Sequence, residues 1–114
     1  MSLWRELTDF SLDNETQINE QEQMEWIARD PQDPRPFYHL AQLRRMQYKP
    51  DQGLALLLEA IRLDATFAPA HLALTELYAV KGDYSAAWRH ARQAEHNNQA
   101  RGVELLTRYK IPEA

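Results

Sequence analysis

The side chains of this chain that could serve as acid, base or metal ligand include its four histidines, His39, His71, His90 and His96. Two histidines four residues apart on a helix would place two metal ligands on one face. No pair in this sequence has that spacing, so we expect no metal site. His71 occupies a position where a related segment of the chain holds a phenylalanine. We therefore predict a buried imidazole with a hydrogen-bonded N–H rather than a ligand.

The other residue types give no catalytic pattern. There is no cysteine, which excludes a thiol nucleophile, a cysteine-based zinc site and a disulfide. The three glycines, Gly53, Gly82 and Gly102, lie too far apart for a phosphate-binding loop. The 17 aspartates and glutamates suit solvated helix faces, and no two stand out as a general acid and base. Trp26 and Trp88 are expected to pack rather than to stack on a ligand. We predict that the protein is not an enzyme and takes no cofactor.

Charge and hydropathy limit the partners. The formal net charge is -4, and the basic residues are scattered, whereas a nucleic-acid-binding surface needs a basic stripe. The longest apolar run, Leu54 to Leu58, stops at Glu59, and a membrane span needs about 20 apolar residues. Residues 1–14 do not combine a basic start with an apolar stretch, as a secretory signal would. We expect a single cytoplasmic domain over residues 1–114 that binds neither nucleic acid nor membrane.

One pattern of residues is written twice at a spacing of 34. Such a period is typical of helix-turn-helix units that bury their apolar faces only by stacking on one another. The first copy comprises Phe37, Leu40, Ala41, Gly53, Leu57, Ala60 and Asp64, and the second comprises His71, Leu74, Thr75, Ala87, Ala91, Ala94 and Asn98.

Local signals divide this pattern into four helices. Asp33 is a capping residue, Pro34 suits the first helical position, and Pro69 opens the third helix. Gly82 is free to take a positive φ, and Asp83 is placed to cap the fourth helix. The helices are predicted from Pro34 to about Gln47, from about Asp51 to Leu63, from Pro69 to the turn at Gly82, and onward from Asp83. Their predicted apolar faces carry Phe37, Leu40, Ala41 and Leu43; Leu54, Leu57, Leu58 and Ile61; Leu72, Leu74, Leu77, Tyr78 and Val80; and Ala86, Ala87, Trp88, Ala91 and Ala94.

Less regular segments flank the two copies. Residues 2–12 form an amphipathic pattern in which Leu3, Leu7 and Phe10 share one face. With a second helix from near Asn14 to Arg29, they read as a degenerate repeat over residues 1–33. Residues 100–109 are predicted to form a helix that covers the last apolar face with Val103, Leu106 and Tyr109. The chain thus divides into residues 1–33, 34–67, 68–101 and a capping helix over 102–111.

The small residues Gly53 and Ala60, and Ala87 and Ala94 in the second copy, would let two helix backbones approach closely. Together with the period and the caps they resemble the tetratricopeptide repeat family, firmly over residues 34–98 and loosely elsewhere. The resemblance implies an all-α fold, a short right-handed α-solenoid of antiparallel helix pairs. It also implies a protein–protein interaction module or adaptor that presents a concave groove to a partner peptide or helix. The chain departs from the family pattern at His71, Ala41, Thr75, Arg44, Ala65 and Gln99.

Some members of the family hold a peptide's terminal carboxylate with basic and amide side chains. The matching positions here are Arg5, Asp9, His39, Pro69 and Ala73. Arg5 alone has the required charge, and Asp9 would repel a carboxylate. That activity is therefore not expected.

In such a stack the first helix of each unit lines the concave side. We expect a binding strip there, in which Tyr38, Gln42 and Arg45 project from one helix at spacings of four and three and are exposed together. The same residues also suit ordinary solvent-facing positions. A self-associating structural subunit, for example a homodimer, is the alternative, because an open stack has two end faces to cover. The predicted partner-binding residues are Arg35, Tyr38, His39, Gln42, Arg45, Leu72, Glu76 and Ala79, with Ala73 beside them.

Overall fold

A computed structural model of the chain describes residues 19–113. This part is all-α: it contains helices, turns and no strand. None of the described helices is long and apolar enough to cross a membrane. The predicted helix over residues 2–12 and the start of the next one lie outside the described residues. The helices are α1 over residues 19–29, α2 Arg35–Met46, α3 Pro50–Leu63, α4 Ala68–Lys81, α5 Tyr84–His96 and α6 Arg101–Arg108.

The helices pack against their neighbours in the sequence. The closest packing is within the pairs α2–α3 and α4–α5; α3 joins the pairs by packing on α4, and α6 packs on α5 and α4. Burial follows the predicted period of 34, because equivalent positions are buried in both pairs. These buried equivalents are Leu40 and Leu74, Ala41 and Thr75, Gly53 and Ala87, Leu57 and Ala91, and Ala60 and Ala94.

The predicted boundaries of α2, α3 and α4 and the predicted start of α5 agree with the structure to within one or two residues. Asp33 Oδ1 accepts a hydrogen bond from the Arg35 backbone N–H at 3.0 Å, and Pro34 already has helical angles. Gly82 ends α4 with a φ of 83°, a left-handed conformation that glycine adopts without steric cost. Asp83 then caps α5 by accepting from the Ala86 N–H at 3.1 Å.

Small residues allow the helices to approach closely, as predicted. A Cβ added at Gly53 would lie 3.1 Å from Arg45 Cγ and 3.2 Å from the Ala41 carbonyl oxygen. A close approach at Gly102 was not predicted. A Cβ added there would lie 3.3 Å from that of Ala91. Gly102 therefore lets α6 settle on α5.

Three residues predicted to be in the core are exposed. Leu58 faces solvent on α3, Val80 lies in the last turn of α4, and Tyr109 follows the end of α6. The covering helix is also shorter than the predicted span of 102–111, because Lys110 takes a left-handed φ of 56° and the chain turns.

After that turn the chain returns to α5. The Trp88 indole N–H donates to the Ile111 carbonyl oxygen at 3.0 Å, and Ile111 packs on the cluster of Ala87, Trp88, Ala91 and Leu106. Residues 109–113 thus hold α6 against α5, and Trp88 is a packing residue as predicted.

Candidate functional site

A groove of about 530 Å³ runs along one side of the described helices, and we call it the α4–α6 groove. Most of its wall is formed by residues of three helices. These are α2 and α4, the first helices of the two pairs, and α6, which follows the second pair. Most of the lining side chains are apolar. They are Arg45, Glu76, Ala79, Val80, Tyr84, Leu105, Leu106, Tyr109 and Ile111.

Several large apolar side chains of this groove are exposed to solvent. Val80 is 87% exposed and Tyr109 is 68% exposed, and Tyr84 beside them is also exposed. Single apolar residues on a surface are ordinary, but several gathered in one concavity are typical of an interaction site. Three large exposed hydrophobics line the α4–α6 groove together.

An ion pair between α2 and α4 closes one side of the groove. The Arg45 guanidinium donates to Glu76 Oε2 at 3.0 Å and to Gln42 Oε1 at 3.0 Å. The Gln42 amide in turn donates to the Tyr38 hydroxyl at 3.4 Å. The aliphatic part of Arg45 lies over Gly53, where a larger residue would displace it. These bonds hold Arg45 at the groove's edge.

A second, more polar groove of about 340 Å³ lies between α1 and α2, and we call it the α1–α2 groove. Its apolar surface comes from Trp26 and Leu43. The centroid of the Trp26 ring lies 6.4 Å from that of the His39 ring and 5.0 Å from the guanidinium carbon of Arg35, which stands over the indole. The lining residues are Asn19, Gln23, Trp26, His39, Gln42 and Leu43.

Arg35 is held in place by Asp33. Its Nη2 donates to Asp33 Oδ2 at 2.6 Å and its Nε donates to Asp33 Oδ1 at 2.9 Å. The hydrogen bonds donated by the Arg35 side chain lower the pKa of Asp33 to about 2, against the opposing effect of burial. Arg35 is thus tied to its own helix start and to Trp26, so its charge is already paired.

The predicted binding residues fall into several places. Arg45, Glu76 and Ala79 line the α4–α6 groove, while His39 and Gln42 line the α1–α2 groove. Leu72 is half-buried on α4 and lines neither of them. The prediction that Ala73 faces outward is wrong, because Ala73 is buried in the core.

Tyr38, Gln42 and Arg45 were expected to be exposed as one strip. They do form one strip, but all three are half-buried and hydrogen-bonded to one another. Tyr38 also packs edge-on against Phe67, with ring centroids 5.8 Å apart. This strip is part of the packing between the helix pairs.

Sequence reasoning missed most of the α4–α6 groove. Val80 and Tyr109 follow the apolar period of their helices and were assigned to the core, and Tyr84, Leu105 and Ile111 were not singled out. One indication of this groove is in the sequence. Val80 is 34 residues from Met46, so the two residues take equivalent positions of the repeat, in the last turn of the first helix of a pair. Both are exposed.

His71 is buried, as predicted, and its Nε2 lies 2.8 Å from the Ala65 carbonyl oxygen. It lines neither groove.

A scan against models of protein families finds no match to this chain, and a search of curated proteins finds no similar sequence.

Proposed function

We propose that this protein is a non-enzymatic protein–protein interaction module of the tetratricopeptide-repeat type, an adaptor that binds a helix or extended segment of a partner in the α4–α6 groove. The observation that carries the proposal is the set of exposed apolar side chains, Val80, Tyr84 and Tyr109, that line one groove with the Arg45–Glu76 pair. The repeat assignment is supported by burial that recurs at the 34-residue period.

The composition of the groove suits a peptide segment. Aromatic and aliphatic side chains provide area that a partner can remove from water, and each fully desolvated anchor contributes on the order of 2 kcal/mol or more. The Arg45–Glu76 pair adds a charged edge that fixes orientation more than affinity. Such a groove recognises an amphipathic segment by its apolar face.

The test begins with a partner recovered by the unmodified chain, whose affinity is then measured by calorimetry against two matched variants. The test variant combines Val80→Ala with Tyr109→Ala in the groove. The control combines Met24→Ala with Tyr48→Ala, two exposed side chains outside the groove. We expect the test variant to lose at least about tenfold in affinity, equal to 1.4 kcal/mol, while the control stays within about twofold.

Stability separates binding from folding in this test. All four residues are exposed, and substitutions at such positions usually change stability by less than about 0.5 kcal/mol. Equal losses in both variants, or none in either, would exclude the groove as the binding site. A parent chain that is dimeric by light scattering and becomes monomeric in the test variant would instead identify a second copy as the occupant, and the protein as a self-associating subunit.

A further inference from the structure

The charges on the α2 and α4 sides of the α4–α6 groove balance each other. The charged residues in its lining, Arg45 and Glu76, pair with each other at 3.0 Å. Lys81, which follows Val80 at the end of α4, pairs with Asp51 at 2.9 Å. Among the described residues, these two sides of the groove therefore offer a ligand no unpaired charge.

The α6 side of the groove differs, because it carries uncompensated positive charge. Arg101 and Arg108 lie four residues before and three residues after Leu105, and helix residues at these spacings share one face. Leu105 lines the groove, so the two arginines flank it along the edge that α6 forms. Both are exposed, and neither forms an ion pair within residues 19–113. Glu104 is also exposed, but it is adjacent to Leu105 in the sequence and does not share its face.

The secondary structure around the groove favours a helical ligand. An extended peptide gains much of its affinity from backbone hydrogen bonds to a sheet edge, and residues 19–113 contain no strand. A helix forms its backbone hydrogen bonds internally, so it needs only an apolar face to bind. Val80, Tyr84 and Tyr109 provide the exposed surface on which such a face packs.

We propose, resting on the function proposed above, that the occupant of the α4–α6 groove is an amphipathic helix of a partner protein, with acidic residues beside its apolar face. Its carboxylates lie along the α6 edge, next to Arg101 and Arg108. Guanidinium groups bind carboxylates through paired hydrogen bonds, and such complementary charge gives specificity more than affinity. The whole chain has a formal net charge of -4, so a preference for an acidic ligand comes from this edge and not from the overall charge of the protein.

A displayed library of amphipathic helices tests this preference without a known partner. Every member keeps leucines at positions i, i+3, i+4 and i+7, and the positions beside them vary among glutamate, lysine and glutamine. Peptides are selected for binding to the full chain. Those that also bind the variant Val80→Ala with Tyr109→Ala are then discarded, which leaves the peptides whose binding depends on the groove.

The selected peptides are measured by fluorescence anisotropy against two charge variants. The test variant is Arg101→Gln with Arg108→Gln. The control, Arg29→Gln with Arg89→Gln, removes two exposed arginines that do not line the groove. We expect the groove-dependent peptides to be enriched in glutamate over lysine. They should bind the test variant at least about fivefold more weakly than the parent, and the control within about twofold of the parent.

The outcomes separate this proposal from the proposed function. Groove-dependent peptides without an excess of glutamate, or with equal affinity for the parent and the test variant, would overturn the acidic helix but keep the groove as the binding site. Equal losses in the test variant and the control would show that affinity follows overall charge, and would also overturn the acidic helix. A selection that yields no groove-dependent peptide would overturn both proposals.

Discussion

His71 Nδ1 and His90 Nδ1 lie 3.0 Å apart in the packed interface between α4 and α5. His71 Nε2 faces the Ala65 carbonyl oxygen, which only accepts, so this nitrogen carries the proton. In a neutral His71 the Nδ1 is then the acceptor, and His90 Nδ1 must donate. Both rings are buried, and the Tyr78 ring stacks on His90 with an interplanar angle of 3°.

This pair predicts a loss of stability in mild acid. The pKa of His90 is lowered from 6.5 to about 4, mainly by burial and to a smaller extent by electrostatic repulsion from His71 and Arg89. The unfolded chain therefore binds the proton first as the pH falls. The stability that the neutral His90 contributes is complete above pH 6.5 and is lost as the pH falls from 6.5 to 4. The difference between these two pKa values corresponds to a loss of about 3 kcal/mol in the free energy of unfolding.

Urea unfolding at several pH values measures this effect. His90→Gln keeps an N–H donor but cannot titrate, so its free energy of unfolding should fall much less between pH 6.5 and 4. His39→Gln, at an exposed position, is the matched control and should keep the parent's slope. A parent slope that is unchanged in His90→Gln would show that other groups cause the acid sensitivity.

What the sequence could predict depends on how locally each feature is determined. The turn at Gly82 and Asp83 needs only its own residues, and the burial of Leu57 and Ala91 follows from a period written in the chain. The histidine pair joins residues 19 apart on two helices, so no spacing rule predicts it. Val80 matches the apolar period of α4, yet it is exposed because no described helix covers the last turn of α4 on that side.

The small buried residues predict a strong response to added volume. Ala60 and Ala94 are fully buried at equivalent positions of α3 and α5. Replacing either one with leucine should cost about 1–3 kcal/mol by overpacking and lower the melting temperature by several degrees. Ala55→Leu, on the exposed face of α3, adds the same atoms and should melt close to the parent. If all three variants melt alike, the register of the helix pairs is wrong.

The contribution of the Arg45–Glu76 ion pair can be tested by reversing its two charges singly and together. Its side chains are 25% and 39% exposed, so the pair contributes at most about 1 kcal/mol. Arg45→Glu sets two carboxylates together and should destabilise the chain, as should Glu76→Arg by placing two guanidinium groups together. The double reversal should be more stable than the sum of the two single changes predicts, as measured by thermal or urea unfolding. Additive effects would mean that the pair adds no coupling energy.

Two truncations at the C-terminal end, of residues 111–114 and of residues 100–114, are expected to have different effects. Removing residues 111–114 takes away the acceptor of the buried Trp88 N–H and the Ile111 side chain that packs on α5. It also removes Glu113, whose carboxylate pairs with Arg92 over the Trp88 ring. We expect this variant to keep the oligomeric state of the parent but to lose about 1–3 kcal/mol of stability, chiefly from the unpaired indole N–H.

Removing residues 100–114 should have a different effect, because it also uncovers Ala87 and Ala91, which pack beneath Leu106. An apolar face of this kind on the last helix pair should drive dimerisation or aggregation, seen by light scattering. Glu113→Gln is the control for both truncations, since an exposed ion pair contributes little. If the longer truncation keeps the parent's oligomeric state and melts like the shorter one, α6 does not cover the apolar face of α5, and the residues from Ile111 onward alone account for the stability of that end.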